Sequence, residues 1–152
     1  MWAHIRESTR RAHRANDESP VYKIAIAQKL LEGIGSDRSP TEIANLFDAE
    51  FVFEIQGDDG VLPWIGRKTG RRAIVNFVRD IRALTEPITF EVDDILASNS
   101  RVAIVGALQT RIKSTGKIIG TQFAIILTIT GDVVTRFQML EDSFGVSKAA
   151  RT

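Results

Sequence analysis

The residues from Arg101 to Asp142 constrain this chain more than any other stretch. Ser100 to Ile112 is rich in β-branched residues, Ser114-Thr-Gly116 interrupts it, Ile118 to Thr130 is a second such run, and Thr130-Gly131-Asp132 leads into Val133 to Asp142. Long neighbouring strands joined by short glycine-containing turns pair antiparallel. The pattern therefore predicts a curved meander, and one face of such a sheet needs a cover.

The cover lies upstream. Ile24, Ala27, Leu30, Leu31 and Ile34 recur at helical spacing from Val21 to about Gly33, and Gly33 and Gly35 supply a stop. Ser39-Pro-Thr-Glu42 reads as the capping box of a second, short helix with proline at its first position, and Ile43, Leu46 and Phe47 form its buried side. Phe51 to Gln56 alternates, which puts Phe51, Phe53 and Ile55 on one face of a half-buried strand and turns Glu54 to solvent or a partner copy. Val61 to Gly66 is a loop that carries Trp64. Gly66-Arg-Lys-Thr-Gly70 lacks the spacing of a phosphate-binding loop and reads as a turn into a third helix. That helix has the stripe Ile74, Phe77, Val78, Ile81 and Leu84 and ends by Pro87. Ile88 to Ala97 then opens the sheet. Helices first and an antiparallel meander after them make an α+β fold.

At 152 residues the chain is about one domain, with residues 21–150 as its body and residues 1–20 expected to form a mobile or partner-docking arm anchored by Trp2 and Ile5. No apolar run approaches the ~18 residues of a membrane span, and no signal-peptide core is visible in the arm. Lys and Arg number 20 against 19 Asp and Glu, so no global field draws the chain to nucleic acid or membrane. Arg67, Lys68, Arg71 and Arg72 read as a solvated face. There is no cysteine, which excludes disulfides and thiolate chemistry and fits a reducing cytoplasm. His4 and His13 lack metal-ligand spacing, so no metal is expected.

The order of elements carries a resemblance. Leu46-Phe47 before the first strand, Pro63-Trp-Ile-Gly-Arg-Lys-Thr-Gly70 before the third helix, Gly131-Asp-Val-Val134 before the last strand and the ending Leu140-Glu-Asp-Ser-Phe144 resemble the nuclear-transport-factor-2-like superfamily, most closely its SnoaL-like branch. The resemblance covers roughly Val21 to Ala150. It implies a strongly bent, mainly antiparallel sheet wrapped round a long helix as a cone, with a small apolar molecule in the mouth and a homodimer through the outer sheet face. The superfamily holds isomerases, epoxide hydrolases, polyketide cyclases and noncatalytic modules, so fold alone does not choose the function.

Position by position, the resemblance takes catalysts away. The isomerase base falls at Ile55, and the protonated carboxyl of the oxyanion hole near Phe123. The epoxide-hydrolase Tyr and Asn match Phe53 and Ile55, its last-strand Asp matches Gln138, and its Arg and other Asp fall near Gly106 and Leu108, or one residue earlier at Val105 and Ala107. Alignment and alternation then line the cone with Phe53, Ile55, Phe123, Ile125 and Leu140, with Trp64 at the mouth. On the last strand Val134, Arg136, Gln138, Leu140 and Asp142 share one face by alternation, and Phe137 and Met139 the other. With the first set inside, Arg136 requires a carboxylate, since an unpaired buried guanidinium costs several kcal/mol. The chain offers Asp142, Glu141, Asp59 and Asp58. Two readings stand: a salt bridge at the rim, or Arg136 and Gln138 orienting a ligand with Asp142 or Asp59 as acid/base. Phe137 and Met139 would then be a dimer surface. The chain is expected to bind a small hydrophobic molecule, either as a cofactor-independent cyclase, isomerase or hydrolase or as a noncatalytic binding or dimerisation module.

Overall fold

Ser19 is extended and Pro20 occupies the first helical turn, so the first helix starts where a missing N–H costs nothing. In the computed structural model, which describes residues 19–152, this helix is α1 (Pro20–Gly35). Apart from Ser19 and Pro20, the arm expected over residues 1–20 lies outside the described residues. The elements after α1 are α2 (Pro40–Ala44), β1 (Phe47–Ile55), β2 (Gly66–Thr69), α3 (Arg71–Leu84), β3 (Thr85–Ala97), β4 (Arg101–Ile112), β5 (Ile118–Thr130), β6 (Val133–Glu141) and α4 (Ser143–Ala150).

The end of α1 is held from a distance. Ser36 Oγ donates to Gly33 O at 2.9 Å, and the Arg82 guanidinium of α3 donates to the carbonyls of Gly33, Ile34, Ser36 and Arg38. One cation thus satisfies carbonyls that helix geometry leaves orphaned and ties α1 to α3. At α2, Ser39 is the N-cap and Pro40 the first helical residue, as predicted, but the Ser39 side chain makes no capping hydrogen bond. The helix start is set by proline rather than by the expected capping box.

The six strands form one open sheet in the order β2-β1-β6-β5-β4-β3. The β3-β4-β5-β6 meander is antiparallel throughout, and β1 joins β6 in parallel. The α+β class and the mainly antiparallel sheet are therefore observed, with one parallel seam. Irregular register at Pro87/Thr89, Val92/Asp94 and Thr128/Ile129 bends the strands round α1 and α3. The residues read as a turn, Gly66–Thr69, instead form an edge strand antiparallel to β1, flanked by Gly66 and Gly70 at positive φ. The chain also does not stop at β6. Asp142 caps α4 by accepting from Gly145 N at 3.0 Å, and Asp58 fixes its far end by accepting from Ser147 Oγ and Arg151. These two donors, Arg151 first, hold the Asp58 carboxyl below the ordinary carboxylate range.

The interior has two textures. Near the β1–β6 seam, Phe53, Phe77 and Phe137 pack ring on ring, with Phe53 and Phe137 stacked at 5.2 Å and Phe53 and Phe77 tilted at 5.1 Å. Toward the other end of the sheet the filling gives out.

Candidate functional site

A cavity of about 730 Å³ occupies that end, walled by Ile55, Trp64, Phe77, Ile81, Phe90, Leu108, Ile119, Ile125, Phe137, Met139 and Val146. Its open side is marked by the exposed lining residues Gly35, Asp37, Pro87 and Phe90. A volume of this order takes a small organic molecule, and the wall is overwhelmingly hydrocarbon.

The last strand is where the structure departs most from alternation. Thr130 pairs with Val133 and Ile129 with Val134, but Thr128 pairs with Arg136. One extra residue, Thr135, is accommodated between those pairs as a bulge. Directly opposed residues on antiparallel strands share a face, so Leu127↔Phe137, Ile125↔Met139 and Phe123↔Glu141 point inward, and Thr128↔Arg136, Ile126↔Gln138 and Ala124↔Leu140 point outward. Burial agrees: Phe137 is 2% exposed and Met139 8%, against 39% for Leu140. The bulge therefore inverts the expected parity.

This relocates the expected site residues. Arg136 and Gln138 lie on the outer sheet face, where both donate to Glu54 Oε1 at 3.4 Å. Arg136 does meet a carboxylate, but across the β1–β6 seam rather than inside the cone. Phe137 and Met139, expected on the outer face, are cavity wall and core. Leu140 is outside. Asp142 spends its side chain on the start of α4, and its backbone N–H donates to Thr121 Oγ1 at 2.9 Å. Asp59 is exposed in the β1–β2 connection, against Gly66, and is not part of the wall. Ile55, Trp64 and Ile125 line the cavity. Phe53 sits behind Phe77 and Phe137, and Phe123 supports the wall residue Phe90, ring on ring at 4.9 Å.

The residue that the inversion brings in is Glu141. It was readable only as a partner for Arg136, yet it lines the cavity beside Met139. Among the described residues no side chain donates a hydrogen bond to it and no cation pairs with it. Burial first, and then the neighbouring Asp142 charge, push its carboxyl from 4.5 up to about 7. Lys23, 1% exposed, is the other interior charge, but it donates to Ile129 O at 2.9 Å. Ile129 is six residues along β5 from Phe123, the partner of Glu141, which puts the two charges roughly 20 Å apart along the strand.

The positions where the resemblance would place charge are closed here by packing as well as by residue type. A Cβ on Gly106 would lie 2.0 Å from Glu91 O and 2.9 Å from the Phe123 ring, so no arginine fits there. Ile55 and Phe123 are hydrocarbon facing hydrocarbon. Among the described residues no three potential ligands gather to hold a metal, and no helix is long and apolar enough to cross a membrane.

A model of the SnoaL-like domain matches residues 27–137. The chain belongs to the SnoaL-like domain family. Solved structures place the SnoaL-like fold among nuclear-transport-factor-2-like proteins. One such protein from Burkholderia xenovorans LB400 is 19% identical, covers 88% of this chain and 99% of its own, and superposes with a TM-score of 0.80. Another from Burkholderia thailandensis E264 is 17% identical over 84% of this chain and 96% of its own, with a TM-score of 0.72. A Catenulispora acidiphila protein with a ketosteroid isomerase-like fold, solved in complex with trimethylamine, is 17% identical over 82% and 91%, with a TM-score of 0.67. At these identities the likeness is one of fold. No curated protein matches the SnoaL-like chain.

Proposed function

We propose that this SnoaL-like protein binds a small hydrophobic metabolite in the 730 Å³ cavity and exchanges a proton with it through Glu141, as a cofactor-independent isomerase, cyclase or hydrolase. The observation that supports this reading is a buried carboxyl without a partner among the described residues on an apolar wall, poised at about 7, where it is as ready to accept a proton as to donate one. The bland alternative, a noncatalytic binding module, is favoured by the hydrocarbon at Ile55 and Phe123, where relatives keep their catalysts. We place the homodimer contact on the outer sheet face, where Ala103, Val105, Ala107, Ala124, Ile126 and Leu140 form a low, apolar surface.

The test needs no knowledge of the overall reaction. Small apolar ketones, with and without a basic nitrogen, are incubated with the protein in D₂O, and deuterium incorporation next to the carbonyl is followed by NMR. Wild type is expected to accelerate exchange with a pH profile that breaks near 7, and Glu141→Gln to lose at least about 100-fold. Exchange unchanged in Glu141→Gln would remove the proton-transfer role and leave the binding module.

A further inference from the structure

The cavity wall is poor in positive charge. Four of its donor side chains spend that capacity on backbone carbonyls, while Trp64, Thr89 and Gln109 offer only neutral donors. Ser36 Oγ donates to Gly33 O, Thr85 Oγ1 to Ile81 O at 2.6 Å, and Thr110 Oγ1 to Glu86 O at 3.1 Å. Arg82, the one cation on the wall among the described residues, gives both terminal nitrogens to carbonyls, and its Nε is buried without a partner. A hydroxyl that has donated keeps its lone pairs. What unspent charge the wall presents to an occupant is therefore negative: the Glu141 carboxyl, set among neutral polar groups. Around them stand the rings of Trp64, Phe77, Phe90 and Phe137.

From this we infer that the occupant is a hydrophobic amine, its ammonium paired with Glu141 and its apolar body against the aromatic wall. The inference deepens the proposed function by naming the substrate class, and it rests on that reading only in taking the cavity as the ligand site. An ammonium supplies what the wall lacks, an unspent positive charge, and the faces of aromatic rings attract cations. A carboxylate or phosphate would find no free cation among the described lining residues and would face Glu141. The charged groups that bear on this are few: Asp142 beside Glu141, Asp37 at the mouth, and Arg82 behind its four carbonyls. Among the described residues no cation pairs with Glu141, so an incoming ammonium is the partner that restores its ionised form.

Three rigid probes of one shape separate the cases: 1-adamantylamine, 1-adamantanol and 1-adamantanecarboxylate, titrated calorimetrically into wild type and Glu141→Gln at pH 5, 7 and 8. The amine is expected to bind wild type about 10- to 100-fold more tightly than the alcohol at pH 8, as befits one charge-assisted hydrogen bond. That margin shrinks at pH 5, where Glu141 is protonated, and the carboxylate is weakest throughout. In Glu141→Gln the amine falls to the level of the alcohol. An amine no tighter than the alcohol at pH 8, or a preference that survives Glu141→Gln, overturns the inference. The alcohol keeps the two readings apart: its binding to both proteins leaves the cavity standing as a ligand site when the amine preference fails. Failure of all three probes overturns both.

Discussion

The two faces of β6 carry opposite arrangements of the same kinds of group. Outside, Glu54 receives Arg136 and Gln138, so charge is met by charge within reach of water. Inside, Glu141 stands at the end of a row begun by Phe137 and Met139 and meets no donor among the described residues. A paired carboxylate at a sheet surface is architecture, whereas an unpaired one in hydrocarbon is strained toward its neutral form and is available for chemistry. The difference between the faces is set by a single residue, Thr135, whose insertion decides which row looks inward.

The sharpest way to break this comparison is to put a charge on the inner row. Phe137→Glu removes a ring packed against Phe53 and Phe77 and leaves an unpaired carboxylate in the core. The cost is several kcal/mol, a large part of the stability of a domain this size. Loss of the folded protein in circular dichroism and in soluble yield is expected, not a folded monomer. A well-folded Phe137→Glu protein would show that the bulge is misplaced and that β6 keeps simple alternation.

A smaller effect sharpens the role of Glu141. Its folded-state carboxyl, at about 7, lies above the value of 4.5 for an exposed group, so the native state holds its proton longer than the unfolded chain does. The sign follows: this contribution to stability is fully present below about pH 4.5 and is lost as the pH rises through 7. The whole span amounts to about 3 kcal/mol at most. Glu141→Gln is therefore expected to match wild type in urea midpoint near pH 4.5 and to exceed it at pH 8. Equal midpoints at both pH values would mean that Glu141 is solvated and not poised.

Most of the fold was legible because it depends on local rules. The β-branched runs, the glycine turns and the helical stripe of Ile74, Phe77, Val78 and Ile81 each name their own element. The cavity lining at Ile55 and Ile125 followed from alternation over Phe51 to Ile55 and along β5, which the structure keeps. The site chemistry was hidden because alternation fails at one point that no residue announces. Val134-Thr135-Arg136 contains no glycine to mark a bulge, and the turn at Gly131 fixes register only as far as Val134. One signal was present: Phe137 and Met139 are the more apolar row of β6. Assigning them to the core, as their side chains invite, would have carried Glu141 inward with them. The strand β2 and the helix α4 were missed for a different reason. Gly66-Arg-Lys-Thr69 pairs through its backbone against β1 and carries no strand pattern of its own, and α4 is short and takes its cap from Asp142, which had been read as a candidate catalyst.

The outer row should tolerate the changes that the inner row cannot. Arg136 is 45% exposed, and its contact with Glu54 is 3.4 Å, so Arg136→Ala is expected to cost within about 1 kcal/mol and less still at high salt. Gln138→Leu loses a second donor to the same oxygen and should behave alike. Leu140→Glu, opposite Ala124 on the same face, is expected to leave the fold and the pH 8 effect of Glu141 intact while shifting a dimer to monomer in light scattering. The two readouts keep architecture and assembly apart. A Leu140→Glu protein that stays dimeric moves the contact off this face, and one that unfolds shows that Leu140 belongs to the core, which would undo the inversion from its outer side.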